Sequence, residues 1–170
     1  MKVTGYTLRE AIKRWELRRD TAATQFTKAL NKFDGEIKAS PDDVMKDFNR
    51  AEDALSSLQT AQAAYNLANR VQVQAKVMTL GEAVKRIGGA GRAEKMWRVA
   101  AAGKKDRYGS NDAETVRNKD EIRAIAVVST NHAMTCAHEA AKFASALREA
   151  IGVGNAQALE IESLFPALFE

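Results

Sequence analysis

Along the first forty residues, apolar side chains recur at alternating four- and three-residue steps: Leu8, Ile12, Trp15, Arg19, Ala22, Phe26, Ala29, Phe33 and Ile37, with one arginine among them. That spacing predicts a long helix with a coiled-coil-like seam. Thr7-Leu8-Arg9-Glu10 reads as a capping box, the threonine accepting from the fourth residue and the glutamate reaching back. The helix is expected to run to about Lys38. Ser40-Pro41-Asp42-Asp43 then starts a second helix with a capping serine, a proline at the first helical position and acids in the first turn. Its seam is Val44, Phe48, Ala51, Leu55, Leu58, Gln62 and Tyr65. So short a link makes the two helices an antiparallel hairpin. Arg19 and Gln62 interrupt the seams, as polar register-setting residues do; the alternative is a polar path inside an oligomer.

From Val71 to Val77 the period changes to two, which predicts one half-buried strand. Lys2–Tyr6 could form another short strand. Thr79-Leu80-Gly81-Glu82 is a second capping box. Residues 7–14 and 79–86 agree at six of eight positions, so the chain reads as a single helical domain with pseudo-repeats starting near Thr7 and Thr79. Shared capping explains only the threonine and the glutamate. The third helix meets Gly88, Gly89 and Gly91, each costing about 1 kcal/mol relative to alanine. A break there, or a close approach by another backbone, is expected. Residues 103–120 read as a polar loop and Ile122–Ser129 as a strand. Thr130 or Asn131 caps a last helix with seam Ala133, Cys136, Ala140, Phe143 and Leu147, ended by Gly152 and Gly154. The tail carries Leu159, Ile161, Leu164, Phe165, Leu168 and Phe169, which must dock on their own subunit or on a neighbour. The expected fold is therefore mainly α, with about four long helices in antiparallel hairpins and two or three short strands.

Composition narrows the class. Hydrophobic residues are 45% of the 170 and aromatics 6%, which favours helices packed through small side chains. No apolar run approaches the roughly 20 residues of a membrane span, and residues 1–30 are charged throughout, so a cytoplasmic protein is expected. A single cysteine rules out an internal disulfide framework. Charge is unevenly placed. Residues 85–107 hold eight bases against Glu94 and Asp106, whereas residues 149–170 hold four glutamates and no base. A basic stretch beside an acidic tail suits an anionic ligand, or the tail of one subunit meeting the basic stretch of another.

In order along the chain stand a helical hairpin, Asn69-Arg70, then Thr79, Leu80, Glu82 and Ala83, then Asp106, Arg107, Tyr108 and Ser110, then Val128, Ser129 and Thr130. This succession resembles the septicolysin-like family, small helical proteins of bacteria and phages with no settled function. The resemblance covers most of the chain. The glycine cluster, the segment between Ser110 and Val128 and the tail depart from that pattern. The family name suggests lysis, and no residue here supplies chemistry for it.

Enzymatic chemistry finds few candidates. His132 and Cys136 can share a helix face while His138 points elsewhere, and a zinc shell wants three or four ligands. No metal or other cofactor is expected. A Cys136–His132 dyad would lie in a buried seam, where thiols are inert. Ser129-Thr130 lacks a G-x-S-x-G setting. Glu10 and Glu82 are accounted for by capping. Gly89-Ala90-Gly91-Arg92 is no P-loop, yet a helix restarting there would aim amides at an anion. The expected ligand-binding residues are Arg92, Lys95, Lys104, Lys105, Arg107, Tyr108 and Ser110, since arginine grips phosphate bidentately and tyrosine stacks on a base. The basic stretch is too short to favour nucleic acid. The reading is a non-enzymatic homo-oligomer that binds or sequesters a small anionic, nucleotide-like ligand. The alternative is a structural or assembly protein whose basic stretch contacts a neighbour's acidic tail.

Overall fold

The computed structural model describes residues 1–31, 33, 34, 36, 39–102, 127–162 and 164–169. The polar loop 103–120, most of the strand expected over Ile122–Ser129, and the expected helix end at Ile37 and Lys38 lie outside them. The fold is mainly helical, as the seams predict. Strand β1 (Lys2–Val3) leads into α1 (Gly5–Ala29) and α2 (Pro41–Ala68). Strands β2 (Arg70–Val73) and β3 (Lys76–Thr79) form a hairpin that leads into α3 (Leu80–Ala102). Helix α4 (Thr130–Ala156) follows, then β4 (Leu159–Glu160) and a final 3-10 turn, Pro166–Phe169. Helix α1 packs on α2, and α3 on α4. One core joins the pairs, including Leu8, Trp15, Leu58, Tyr65, Leu80 and Leu147.

Several local expectations are corrected. The capping box of α1 sits one turn earlier than Thr7-Glu10. The Thr4 hydroxyl accepts from the Thr7 N–H at 3.1 Å, and the Thr7 hydroxyl accepts from the Thr4 N–H at 3.0 Å. Gly5 can start the helix because it lies against Asn155 of α4, where a Cβ would collide. Glu10 pairs instead with Lys13. The second copy of the repeat does cap as expected, the Glu82 carboxylate accepting from the Thr79 N–H at 2.8 Å. Those bonds from the Thr79 N–H and hydroxyl hold the Glu82 carboxyl below the usual carboxylate range. The two copies share their buried positions, Leu8 with Leu80 and Ala11 with Ala83.

Helix α1 stops at Ala29, not near Lys38, and Phe33 is exposed. A helix to Lys38 would run past the start of α2 with nothing to pack on, and tertiary burial supplies most helical stability. The single strand expected over Val71–Val77 is a hairpin, with Val73 paired to Lys76 across Gln74-Ala75. Gln74 takes φ 54°, the left-handed geometry that tight hairpins require. Helix α3 runs unbroken through Gly88, Gly89 and Gly91, and no backbone approaches them. Burial of Ala83 and Ala90 where α3 packs on α4 outweighs the low helix propensity of the three glycines.

Ser129, one residue before the expected cap, accepts from the His132 N–H and starts α4. Val127 to Ser129 are therefore not strand. Gly152 and Gly154 do not end α4, which continues to Ala156. Gly154 serves a different purpose: a Cβ there would stand 2.7 Å from Val71 Cγ1 and 3.0 Å from Leu80 Cδ1. Its carbonyl accepts from the Asn69 amide at 2.7 Å and lies 2.7 Å from the Tyr65 hydroxyl. The tail docks on its own chain. Strand β4 pairs with β1, Ile161 and Leu164 are buried, and the Trp15 indole N–H donates to the Leu168 carbonyl at 2.9 Å.

Candidate functional site

Of the residues expected to hold an anion, the structure describes Arg92 and Lys95. Both are exposed on α3, on the side turned away from α4. Helical spacing puts Lys85 on that face too. These three cations make no ion pair among the described residues, whereas Arg98 is held by Glu94 at 2.9 Å. The face is convex, and Met96 and Val99 lie exposed beside the cations. It offers charge without enclosure. Lys104, Lys105, Arg107, Tyr108 and Ser110 lie outside the described residues.

A concave, solvent-open surface is found elsewhere. A groove of about 640 Å³ runs between α1 and α2 under the tail. Helix α1 lines it with Trp15, Leu17, Arg18, Thr21, Ala22 and Gln25, α2 with Asp47 and Arg50, and the tail with Ala167. Arg18 lies three residues after Trp15, so one helical turn brings its guanidinium over the indole, 4.5 Å from the ring centroid. The indole cannot turn away, because its N–H is committed to Leu168. Arg50 reaches the same groove from α2 and makes no ion pair or hydrogen bond among the described residues. Arg19, the polar interruption of the first seam, does not point into this groove. It pairs with Asp20 at 2.8 Å and with Glu52 of α2 at 3.7 Å, and the bond to Asp20 pushes its ionisation further up. It ties the two helices in register.

The groove was missed in the sequence because Trp15 reads as a seam residue and Arg18 as surface. The available signal was the i, i+3 spacing of an arginine after a tryptophan. Two guanidiniums, one carboxylate and an apolar wall can receive an anion together with a planar, donor-bearing group.

The chemistry near the start of α4 is also partly assembled. Cys136 Sγ lies 3.6 Å from His132 Nε2, and Trp97 of α3 meets the His132 ring edge-on at 5.9 Å. Cys136 is half-buried rather than sealed in the seam, where Ala133 and Ala137 sit instead. Among the described residues, no three His, Cys, Asp or Glu side chains gather into a metal shell. No described helix is long and apolar enough to cross a membrane. The chain matches no protein-family model, no curated protein and no solved structure.

Proposed function

We propose that the protein is a non-enzymatic binding or sequestering protein for a small anionic ligand of nucleotide-like chemistry, and that the groove between α1 and α2 receives it. The observation that carries the proposal is Arg50, without a partner among the described residues, in the same cavity as the Arg18–Trp15 stack. In that arrangement the phosphate meets Arg50 and Arg18, and Asp47 accepts from a base amino group. Membership of the septicolysin-like family is proposed on the ordered succession of Thr79, Leu80, Glu82 and Ala83, then Asp106, Arg107, Tyr108 and Ser110, then Val128, Ser129 and Thr130, and brings no activity with it. The alternative is an assembly protein whose basic stretch contacts a neighbour's acidic tail; the apolar part of that tail is less available for it, since Ile161 and Leu164 are buried in their own chain's core.

Native mass spectrometry of protein purified from cells is expected to show bound mass of a few hundred daltons, and it reads the subunit number as well. Titration with nucleoside monophosphates then locates the site. Losing one charge-assisted contact costs about 1.5–3 kcal/mol, so Arg50→Ala should weaken binding roughly ten- to a hundredfold. Arg92→Ala with Lys95→Ala should leave it unchanged. Loss confined to the α3 variants would move the anion to α3 and refute the groove. The absence of any binding would refute both.

A further inference from the structure

We propose that the cleft where the two helical hairpins meet binds a small zwitterion, a free amino acid or a short peptide, held by its two charged ends. The inference does not depend on the groove of Trp15 and Arg50. The cleft measures about 330 Å³ and draws on all four helices. Asn155 of α4 lines it, is only 8% exposed, and makes no side-chain hydrogen bond among the described residues. Taking an amide out of water without giving it a partner is costly, and buried amides in folded proteins are nearly always paired. The Asn155 Oδ1 is the atom nearest Gly5, which leaves Nδ2 to donate into the cleft. Two more amides, Gln62 and Asn66, lie one turn apart on α2 and line the same cleft. Both are half-buried, and neither side chain makes a hydrogen bond among the described residues. Gln62 is the polar interruption of the second seam. Arg19, which interrupts the first, is held by Asp20 and Glu52. Gln62 has no such partner, so helix register does not account for it.

The charges along the cleft have opposite signs. Arg9 and Glu16 lie two turns apart on α1, about 10.5 Å along the helix axis. Neither makes an ion pair among the described residues. Lys13, between them, is already held by Glu10 at 3.1 Å. A ligand carboxylate therefore goes to Arg9, which grips it with two donors, and a ligand ammonium goes to Glu16. The three amides serve the polar groups between those ends. Ile12 and Val84 supply a short apolar wall for a small side chain. Ligand pockets run from about 300 to 1,000 Å³, and this one lies at the small end. Its size and its balanced charge suit an amino acid or a dipeptide better than a nucleotide.

The test is isothermal titration calorimetry of the full-length chain with glycine, alanine and glutamine, and with glycylglycine and alanylglutamine. Saturable binding at one site per chain is expected. Binding of the free amino acids alone, or of the peptides alone, supports the site and identifies its ligand. Arg9→Gln should weaken binding at least about tenfold, the loss of one charge-assisted contact. Amidating the ligand's carboxylate should weaken binding to the parent chain by the same factor and to Arg9→Gln not at all. Glu16→Gln should respond in the same way to acetylation of the ligand's amine. A merely structural role for these side chains would not link each variant to one end of the ligand. Gln62→Leu continues the apolar seam, so it keeps the fold and should still weaken binding. Arg50→Ala should leave it unchanged. Circular dichroism equal to the parent's separates loss of a contact from loss of the fold. No saturable binding of any of these ligands at millimolar concentration, or undiminished binding to both Arg9→Gln and Glu16→Gln, would overturn the proposal.

Discussion

Two glycines in helices of this protein occupy opposite surroundings, and the same substitution should leave the Gly154 variant less stable than the Gly89 variant. At Gly89 on α3, a Cβ would meet nothing within 4 Å. At Gly154 on α4, it would meet Val71 Cγ1 at 2.7 Å and Leu80 Cδ1 at 3.0 Å. Both neighbours are buried, Val71 on β2 and Leu80 at the start of α3, so neither can swing aside into solvent. Alanine in place of glycine within a helix is worth about 1 kcal/mol from propensity. Gly89→Ala should collect that gain in full. Gly154→Ala collects the same gain and also overpacks the core, which costs about 1–3 kcal/mol.

The difference between the two variants is the informative quantity, because the propensity contribution is common to both. It should equal the overpacking cost alone, about 1–3 kcal/mol in favour of Gly89→Ala. For a chain of this length, 1 kcal/mol corresponds to roughly 2–4 °C in Tm. Thermal unfolding followed by circular dichroism should therefore place Gly89→Ala above the parent, with Gly154→Ala at least about 2 °C below Gly89→Ala. Equal Tm values for the two variants would mean that β2 and α3 do not close on Gly154. A loss of stability in Gly89→Ala would mean that a neighbour, such as a second copy, packs against the glycines of α3.

The Tyr65 hydroxyl stands 2.7 Å from the carbonyls of Gly154 and Gln157 in a buried setting, and donates its one hydrogen between them. Tyr65→Phe should lower stability by about 1–3 kcal/mol in denaturant unfolding, the range for buried groups that lose a partner. The Glu82 carboxyl is held low by its bonds to Thr79, so its capping contribution is present above its unfolded value and is lost as pH falls through its folded value. The parent should therefore be more stable than Glu82→Ala at neutral pH, and the two unfolding curves should converge in acid. A gap that persists below the folded value would assign the effect to helix propensity instead.

The parts of the fold that were legible in the sequence are those set by periodicity and local chemistry. The seams of α1 and α2, the Ser40-Pro41 start and the Thr79–Glu82 cap follow from residues within a few positions of one another. The corrected parts depend on contacts distant in sequence. Thr7 carries the same local signal as Thr79, but α1 starts earlier because Gly5 fits against Asn155, one hundred and fifty residues away. Gly154 looks like a helix end and is a close approach, whereas Gly88, Gly89 and Gly91 look like an approach, yet Gly89 and Gly91 face open space and Gly88 meets only the Arg92 side chain. The hairpin after Arg70 lacked its usual sign, since Gln74 takes a conformation that Asn or Gly normally marks. For the sites, composition located charge but not concavity. Arg92 and Lys95 are basic and exposed as expected, yet the groove belongs to Arg18 and Arg50, which no charge cluster singled out. His132 and Cys136 were visible as a spacing, and in the structure that spacing is a side-chain hydrogen bond of 3.6 Å.

The placement of these sites follows from how the helix pairs are joined. The start of α1, the end of α2, the start of α3 and the end of α4 meet at one end of the molecule. There Gly5 abuts Asn155, β1 pairs with β4, and the Gly154 carbonyl gathers Tyr65 and Asn69. Those contacts join both helical hairpins through buried groups, so local opening there requires breaking the core. The antiparallel course of each hairpin carries the end of α1, the start of α2, the end of α3 and the start of α4 to the opposite end, where exposed side chains predominate. His132 and Cys136 stand at that free end, and the groove of Trp15, Arg18 and Arg50 opens along α1 on the way to it. Substitutions of the buried groups at the joined end should act through stability, while Arg50→Ala can change binding without disturbing the fold. That separation lets function be tested here residue by residue.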